Sequence, residues 1–97
     1  MVREIRWTIE SVEAFERVIE YLEFKWTQRE VENFILETEK VLKYIYLNPK
    51  MFRKAHELEI HEAVITPHNL LIYKIYPTHI DLITFWDTRQ DPVKRKM

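Results

Sequence analysis

Three apolar runs in the second half of the chain, joined by very short connections, constrain its fold more than any other feature of the sequence. The runs cover residues 60–66, 70–76 and 79–86, and the connections read "PHN" and "PT". Connections of that length bring consecutive strands together as antiparallel hairpins. The middle run, "LLIYKIY", is apolar on both faces of its pleat, which is typical of a central strand covered at least partly on each side.

The first half of the chain predicts one strand followed by two helices. In "REIRWT", Ile5 and Trp7 alternate with charged residues, which is the period of a strand with one buried face. From residue 11 to about residue 26, apolar residues recur three and four positions apart, as on the buried face of an amphipathic helix. The members of that face are Val12, Phe15, Ile19 and Leu22.

A capping box marks the start of the second helix. The hydroxyl of Thr27 can accept a hydrogen bond from the amide of Glu30, three residues later. The pair "NP" at 48–49 ends the helix, because a residue before proline avoids the helical conformation. So short a break between the two helices predicts a helical hairpin. The predicted buried face of the second helix consists of Val31, Phe34, Ile35, Thr38, Leu42 and Ile45.

The predicted order of elements is β-α-α-β-β-β, with the segment "MFRKAHELE" as a charged connector before the last three strands. Helices gathered on one face of a mainly antiparallel four-stranded sheet define an α+β fold. With 97 residues the chain has room for one core, so residues 1–97 are predicted to form a single domain.

Composition excludes several classes of protein. The chain has no cysteine, so it forms no disulfide and offers no thiol nucleophile or thiolate metal site. It has no glycine, which rules out glycine-rich phosphate loops and nucleophile elbows. A net charge of -1 provides no overall attraction for nucleic acid or an anionic membrane. The chain shows no signal-like segment and no apolar run of about 18 residues, so we expect a cytoplasmic protein without a membrane partner.

The four histidines are the first candidates for chemistry. None is paired at the i, i+4 helical spacing of metal ligands, so we expect neither a metal nor another cofactor. His68 and His79 are predicted to be solvated loop residues. His61 lies in a predicted strand beside Glu62, but alternation places the two on opposite faces. A lone strand histidine is more often a surface or packing residue than a general base, which needs a second group in reach.

Most aromatic residues occupy helical or alternating positions, which favour core packing over a platform for stacked bases. Trp26, Tyr44 and Tyr46 lie at or near predicted helix ends and are the most free to face a partner.

The stretch "FWDTRQDP" at 85–92 crowds polar groups at the end of the last strand. Phe85 is predicted to join the core with Trp86 on the opposite side of the pleat, and Asp87 is predicted to hold Arg89 or to accept from the backbone. Two interpretations are open: a strand end that satisfies its own charges, or a cation presented to a partner beside a basic tail. The second interpretation predicts a target-binding surface made of Asp87, Arg89, Lys94 and Arg95.

The opening strand, the helical hairpin ending in "LNP", the strand "LLIYKIY" and the closing "IDLITFWDTRQDP" together resemble the RelE/ParE family of toxins. These proteins belong to type II toxin-antitoxin systems and are also called plasmid stabilisation proteins. The resemblance spans nearly the whole chain and implies a cytoplasmic bacterial protein that inhibits growth until a cognate antitoxin binds it in a hetero-oligomer. RelE-like members cut mRNA on the ribosome, whereas ParE-like members poison DNA gyrase.

The resemblance implies different site residues for the two activities. RelE-like nucleases use lysines and arginines on the sheet, an arginine after the last strand and often a tyrosine in the tail. Arg89 matches that arginine, but the strand "IHEAVIT" lacks basic residues, Leu70 stands where an arginine is expected, and no tyrosine follows Arg89. These departures favour a ParE-like gyrase poison. The alternatives are an RNase with His61 and Arg89 as its catalytic pair, or an inactive toxin-fold binding module, so whether the chain is an enzyme is left open.

Overall fold

A computed structural model of the chain describes residues 3–56 and 59–89. The first strand, β1, covers Glu4–Trp7 and is followed by helices α1 at Ile9–Lys25 and α2 at Gln28–Leu47. A short 3-10 turn at Pro49–Met51 leads into β2 at Arg53–His56. The last three strands are β3 at Ile60–Thr66, β4 at Asn69–Ile75 and β5 at His79–Asp87.

The five strands form one sheet in the order β1-β5-β4-β3-β2. β1 pairs with β5 in parallel, and all other neighbours are antiparallel. Both helices pack on one face of this sheet, which confirms the α+β fold and the helical hairpin. The opposite face of the sheet, which we call the open face, carries the residues that alternate with the buried ones.

The predicted strand count of four was wrong, because the segment expected to be a connector contains β2. In β2, Arg53 lies opposite Glu62 of β3 and Lys54 lies opposite His61. The Arg53 guanidinium reaches the Glu62 carboxylate at 2.6 Å. This four-residue edge strand is largely cationic and lacks the apolar alternation by which a strand is predicted from sequence. Charged residues on an edge strand hinder its pairing with other chains.

Helix α1 begins two residues earlier than predicted, because Thr8 is its N-cap. The hydroxyl of Thr8 accepts from the Ser11 amide at 3.1 Å and donates to the carbonyl of Leu82 at 2.7 Å. The buried face of α1 is also displaced from the predicted one, since Val12 is 40% exposed. Two small residues belong to the buried face, and Phe15 and Ile19 border the core. The fully buried residues of α1 are Ser11, Ala14, Val18 and Leu22.

Helix α2 begins and ends where the sequence predicts. The amide of Glu30 donates to the Thr27 hydroxyl at 3.4 Å, and the helix ends at Leu47, directly before Asn48 and Pro49. Ile35 and Leu42 are partly buried instead of fully buried. The fully buried residues of α2 are Val31, Phe34, Thr38, Val41 and Ile45.

An aromatic cluster joins the helices to the sheet. Phe15, Phe34 and Phe85 lie with ring centroids 5.2 to 6.2 Å apart, and Trp7 stacks on Phe85 at 5.6 Å. Such pairs add roughly 0.5–1.5 kcal/mol each beyond the area they bury. The prediction that Phe85 belongs to the core is confirmed, since it is 3% exposed. Neither helix in the described part of the chain combines the length and the apolar character needed to cross a bilayer.

Candidate functional site

The carboxylate of Asp87, at the end of β5, is the centre of a buried polar network. It accepts hydrogen bonds from Asn69 Nδ2 and from the Arg89 amide, both at 2.9 Å. Arg89 also donates through Nε at 3.1 Å and through Nη2 at 2.9 Å, one bond to each carboxylate oxygen. Burial by itself would raise the pKa of Asp87, but the hydrogen bonds from Arg89 and Asn69 and the guanidinium charge outweigh it, so the pKa lies below its usual value.

The other side of Arg89 faces the helical hairpin. Its guanidinium lies 4.6 Å from the centre of the Trp26 ring and 3.9 Å from the Glu30 carboxylate. Its backbone carbonyl accepts from the Tyr21 hydroxyl at 3.3 Å. We call Asn69, Asp87, Arg89 and Trp26 the strand-end network. It ties the end of β5 to the turn between the helices.

This geometry supports the first of the two interpretations of "FWDTRQDP". The Arg89 side chain is 17% exposed, and its charge is balanced by a carboxylate that is fully buried. A guanidinium whose Nε and Nη2 both donate to a buried carboxylate offers little charge to a ligand. The target-binding roles of Asp87 and Arg89 stay predictions, and Lys94 and Arg95, assigned to the same surface, lie outside the described residues.

His61 is a buried packing residue of β3, 3% exposed. Its Nδ1 lies 3.0 Å from the carbonyl oxygen of Phe52, and its ring stacks on Tyr73 at a centroid distance of 5.5 Å. Its Nε2 has no hydrogen-bond partner among the described residues, with the Glu59 carboxylate 3.6 Å away. The neighbouring Tyr73 hydroxyl donates to the Pro49 carbonyl at 2.6 Å, and burial raises the pKa of Tyr73.

The structure does not bring His61 and Arg89 together. His61 lies opposite Tyr73, whereas Arg89 follows Asp87, which lies opposite Asn69. Those two rows are four residues apart along β4, or about 13 Å. An acid-base pair needs heavy atoms within about 3 Å, directly or through one water, so these two residues do not form one here.

His68 is exposed in the turn between β3 and β4, as predicted, but the prediction that His79 is a solvated loop residue was wrong. His79 begins β5 and stacks on Tyr76 at 4.6 Å. Its Nδ1 lies 2.9 Å from the Thr78 hydroxyl, and its Nε2 lies 3.6 Å from the Asp81 carboxylate. The i, i+2 spacing of His79 and Asp81, which places both on one face of a strand, is the signal that could have found this pair.

The open face is apolar near the strand-end network. One row across the sheet contains Val64, Leu70 and Trp86, and Val64 is 61% exposed. The next row contains Glu62, Ile72 and Thr84. Val64 and Leu70 of the apolar row lie in the strands where the family resemblance implies the basic residues of a nuclease.

The cations that the described strands turn toward the open face each lie against a neighbouring side chain. Arg53 contacts Glu62 at 2.6 Å and Arg6 contacts Glu4 at 3.3 Å. Lys74 lies 4.9 Å from the centre of the Tyr76 ring. Of these, the Arg53–Glu62 ion pair lies beside the apolar row, one row further along the sheet.

The three aromatic residues expected to face a partner are exposed, Trp26 directly after α1 and Tyr44 and Tyr46 on α2. Trp26 is 46% exposed, Tyr44 is 50% exposed and Tyr46 is 46% exposed, although Phe24, at 83%, is more exposed than any of them. Trp26 uses one ring face for Arg89, so it also has a structural role.

Comparison with known proteins identifies the fold. No family model matches the sequence, and no curated protein matches it. Among solved structures, the chromosomal ParDE toxin-antitoxin system from P. aeruginosa is similar, with a TM-score of 0.72 at 7% identity over 89% of this chain and 96% of that one. The E. coli DinJ-YafQ toxin-antitoxin complex gives a TM-score of 0.64 at 9% identity over 92% and 96%. The YoeB dimer from Staphylococcus aureus gives 0.62 at 14% identity over 89% and 97%.

These neighbours define the class of fold as a helical hairpin on a mainly antiparallel sheet, shared by several toxins of toxin-antitoxin systems. The chain has the RelE/ParE toxin fold, and the resemblance seen in its motifs is confirmed at the level of the fold.

Proposed function

We propose that this protein is the toxin of a type II toxin-antitoxin system, and that it poisons DNA gyrase in the manner of ParE toxins. The fold supports the first part, because the similar structures are ParE, YoeB and YafQ toxins, some of them in complexes with their antitoxins. A gyrase target also implies a bacterial cytoplasm as the place of action and inhibition of growth as the outcome.

The observation that carries the second part is the apolar row Val64, Leu70 and Trp86 on the open face. A nuclease that cuts mRNA on the ribosome needs cations to hold the RNA backbone and to stabilise charge at the scissile phosphate. An apolar row suits contact with a protein surface better than contact with a phosphate backbone.

Arg89 supports the same conclusion. It matches the arginine that a RelE-like nuclease uses after the last strand, but here its charge is balanced by Asp87. Freeing the guanidinium for a phosphate would leave a buried carboxylate unpaired, which is costly. His61, the other residue of the proposed catalytic pair, is buried against Tyr73 on the side of the helices.

A cognate antitoxin is the partner that this proposal requires. The open face offers exposed apolar area, and β2 offers a free sheet edge in the described part of the chain. A partner segment that lies on the apolar row as a helix, or adds a strand to β2, would cover either surface and stabilise a domain of this size. The resulting species would be a hetero-oligomer of toxin and antitoxin.

The test incubates purified protein with gyrase, ATP and supercoiled plasmid, and in parallel with translating ribosomes. We expect linear DNA in the first reaction and intact transcripts by primer extension in the second. Val64→Glu, on the open face, is expected to reduce linear DNA, whereas Met51→Glu, at a similarly exposed apolar residue of the 3-10 turn, is the matched control. Intact plasmid at high toxin excess together with cut transcripts would replace the proposal with the nuclease alternative. Unimpaired growth on induction in cells without antitoxin would leave an inactive binding module.

A further inference from the structure

Two stripes of exposed residues run along the outer face of the helical hairpin, on the side away from the sheet. Both stripes follow alternating spacings of four and three residues, which keep side chains on one face of a helix. Every member of both stripes is exposed. The α1 stripe consists of Ile9, Glu13, Glu16, Glu20 and Glu23. The α2 stripe consists of Arg29, Asn33, Leu36, Lys40, Lys43 and Leu47.

The two stripes carry opposite charge. The α1 stripe contains four glutamates and no cation, and the α2 stripe contains three cations and no acidic residue. Within the described residues, Lys40 is the one stripe member that makes an ion pair. Its ammonium group lies 3.2 Å from the carboxylate of Glu37, also in α2. The other charged members of both stripes make no ion pair among the described residues, and the two helices lie side by side.

We propose that this face binds a second copy of the same chain, in a two-fold dimer that places the α1 stripe of each copy on the α2 stripe of the other. A partner surface of one sign would be repelled by one of the two stripes. A second copy, rotated about an axis parallel to the helices, presents each stripe with its opposite. Such self-complementarity is the requirement of an isologous interface.

The hairpin also sets the register of this contact. Only Trp26 and Thr27 separate α1 from α2, so residues equally distant from that turn lie at similar heights. A two-fold axis parallel to the helices keeps those heights between copies. Glu13 of one copy then lies level with Lys40 of the other, and Glu23 lies level with Arg29.

The apolar members of the stripes are exposed in the single chain, and a dimer would bury their surface. Ile9 is 80% exposed, Leu36 is 57% exposed and Leu47 is 62% exposed. Helices of 17 and 20 residues are roughly 25–30 Å long, which gives a face of about 600 Å² in each copy. A total of about 1,200 Å² is at the lower end of specific interfaces, so the dimer is expected to be reversible and sensitive to salt.

The experiment is sedimentation velocity on the chain alone, at low and at high salt, over a range of concentrations. We expect a monomer-dimer equilibrium at low salt that shifts to monomer as salt increases. Glu13→Lys and Lys40→Glu should each weaken association at least tenfold, because each places like charges opposite one another twice per dimer. The double variant carrying both changes in one chain should recover dimerisation, since it restores both pairs with reversed sign.

Arg6→Glu is the matched control, because it makes the same change of charge at an exposed residue of the open face. It should leave the equilibrium unchanged. Circular dichroism of each variant confirms that the helices are intact. A chain that stays monomeric at low salt overturns the proposal, and so does a dimer that Glu13→Lys and Lys40→Glu leave unaffected, since its interface would then lie elsewhere.

Discussion

Removing the Arg89 side chain is expected to destabilise the fold strongly, although Arg89 lies near the end of the described chain. Arg89→Ala would delete both side-chain bonds to Asp87 and leave its carboxylate with two donors, Asn69 Nδ2 and the amide of residue 89. Breaking a buried ion pair by removing one partner typically costs about 3–5 kcal/mol. Because two donors remain, we expect a value near the lower limit, about 3 kcal/mol, which includes loss of the contact with Trp26.

Chemical denaturation measures this cost, and a surface arginine supplies the control. Arg53 makes a short contact with Glu62, but its side chain is 75% exposed, so Arg53→Ala should change the free energy of unfolding by less than about 1 kcal/mol. For a domain of about this size, the Arg89→Ala loss corresponds to a decrease in Tm of roughly 12 °C or more. If the two variants were equally stable, the strand-end network would not hold the fold together as described.

The same network predicts how stability depends on pH. The folded pKa of Asp87 lies below the value of about 3.9 for an unfolded aspartate, so its contribution is present above that value and is lost as pH falls through the folded pKa. In Arg89→Ala the main donors are gone and burial raises the pKa of Asp87, so acid unfolding should begin at higher pH. In an Asp87→Asn background, Arg89→Ala should cost less than in the wild type, because no buried charge is left unpaired. Equal costs in both backgrounds would contradict a coupled pair.

Three further predictions concern the interior and the helix caps. His61→Phe should preserve the stack on Tyr73 and lower the free energy of unfolding by about 1 kcal/mol, because the hydrogen bond to the Phe52 carbonyl is lost. It should leave growth inhibition unchanged. A folded variant that no longer inhibits growth would return His61 to the mechanism. Tyr73→Phe should lower the free energy of unfolding by about 1–2 kcal/mol, because it leaves the buried Pro49 carbonyl without its donor. Thermal unfolding measures this loss, and no change would mean that water replaces the hydroxyl. Thr27→Ala should lower the free energy of unfolding by about 1 kcal/mol. Thr8→Ala should lower it more, because Thr8 caps α1 and also donates a hydrogen bond to β5. The reverse order would refute that account.

Local patterns predicted most of the fold. The capping box at Thr27, the break at "NP" and the short connections between the last three strands all act over a few residues, so they are visible without knowledge of the rest of the chain. The face of α1 was less well predicted, because large apolar residues at its margin have a stronger sequence signal than the small residues Ser11 and Ala14, which are fully buried. The existence of β2 was missed for a related reason, since its residues gain their strand conformation only by pairing with β3.

The candidate site depended on contacts between distant parts of the chain. Sequence reasoning identified Asp87 and Arg89 as partners, because they are two residues apart at a strand end. It could not show that Asn69 and Trp26 complete the network, or that Arg89 would be balanced and largely buried. The hypothesis of a His61–Arg89 pair likewise concerned the register of β3, β4 and β5, which places the two residues at different levels of the sheet.

By itself, the sequence determined the two helices with their caps and the antiparallel hairpins, because hydrophobic period, capping side chains and connection length are local properties of the chain. Tertiary structure alone decided that β1 pairs in parallel with β5, that β2 joins the sheet, that His61 is buried and that Arg89 is neutralised. Each of these depends on hydrogen bonds and burial between segments far apart in sequence. These contacts stabilise the protein only once the sheet has formed, so no local pattern in the sequence predicts them.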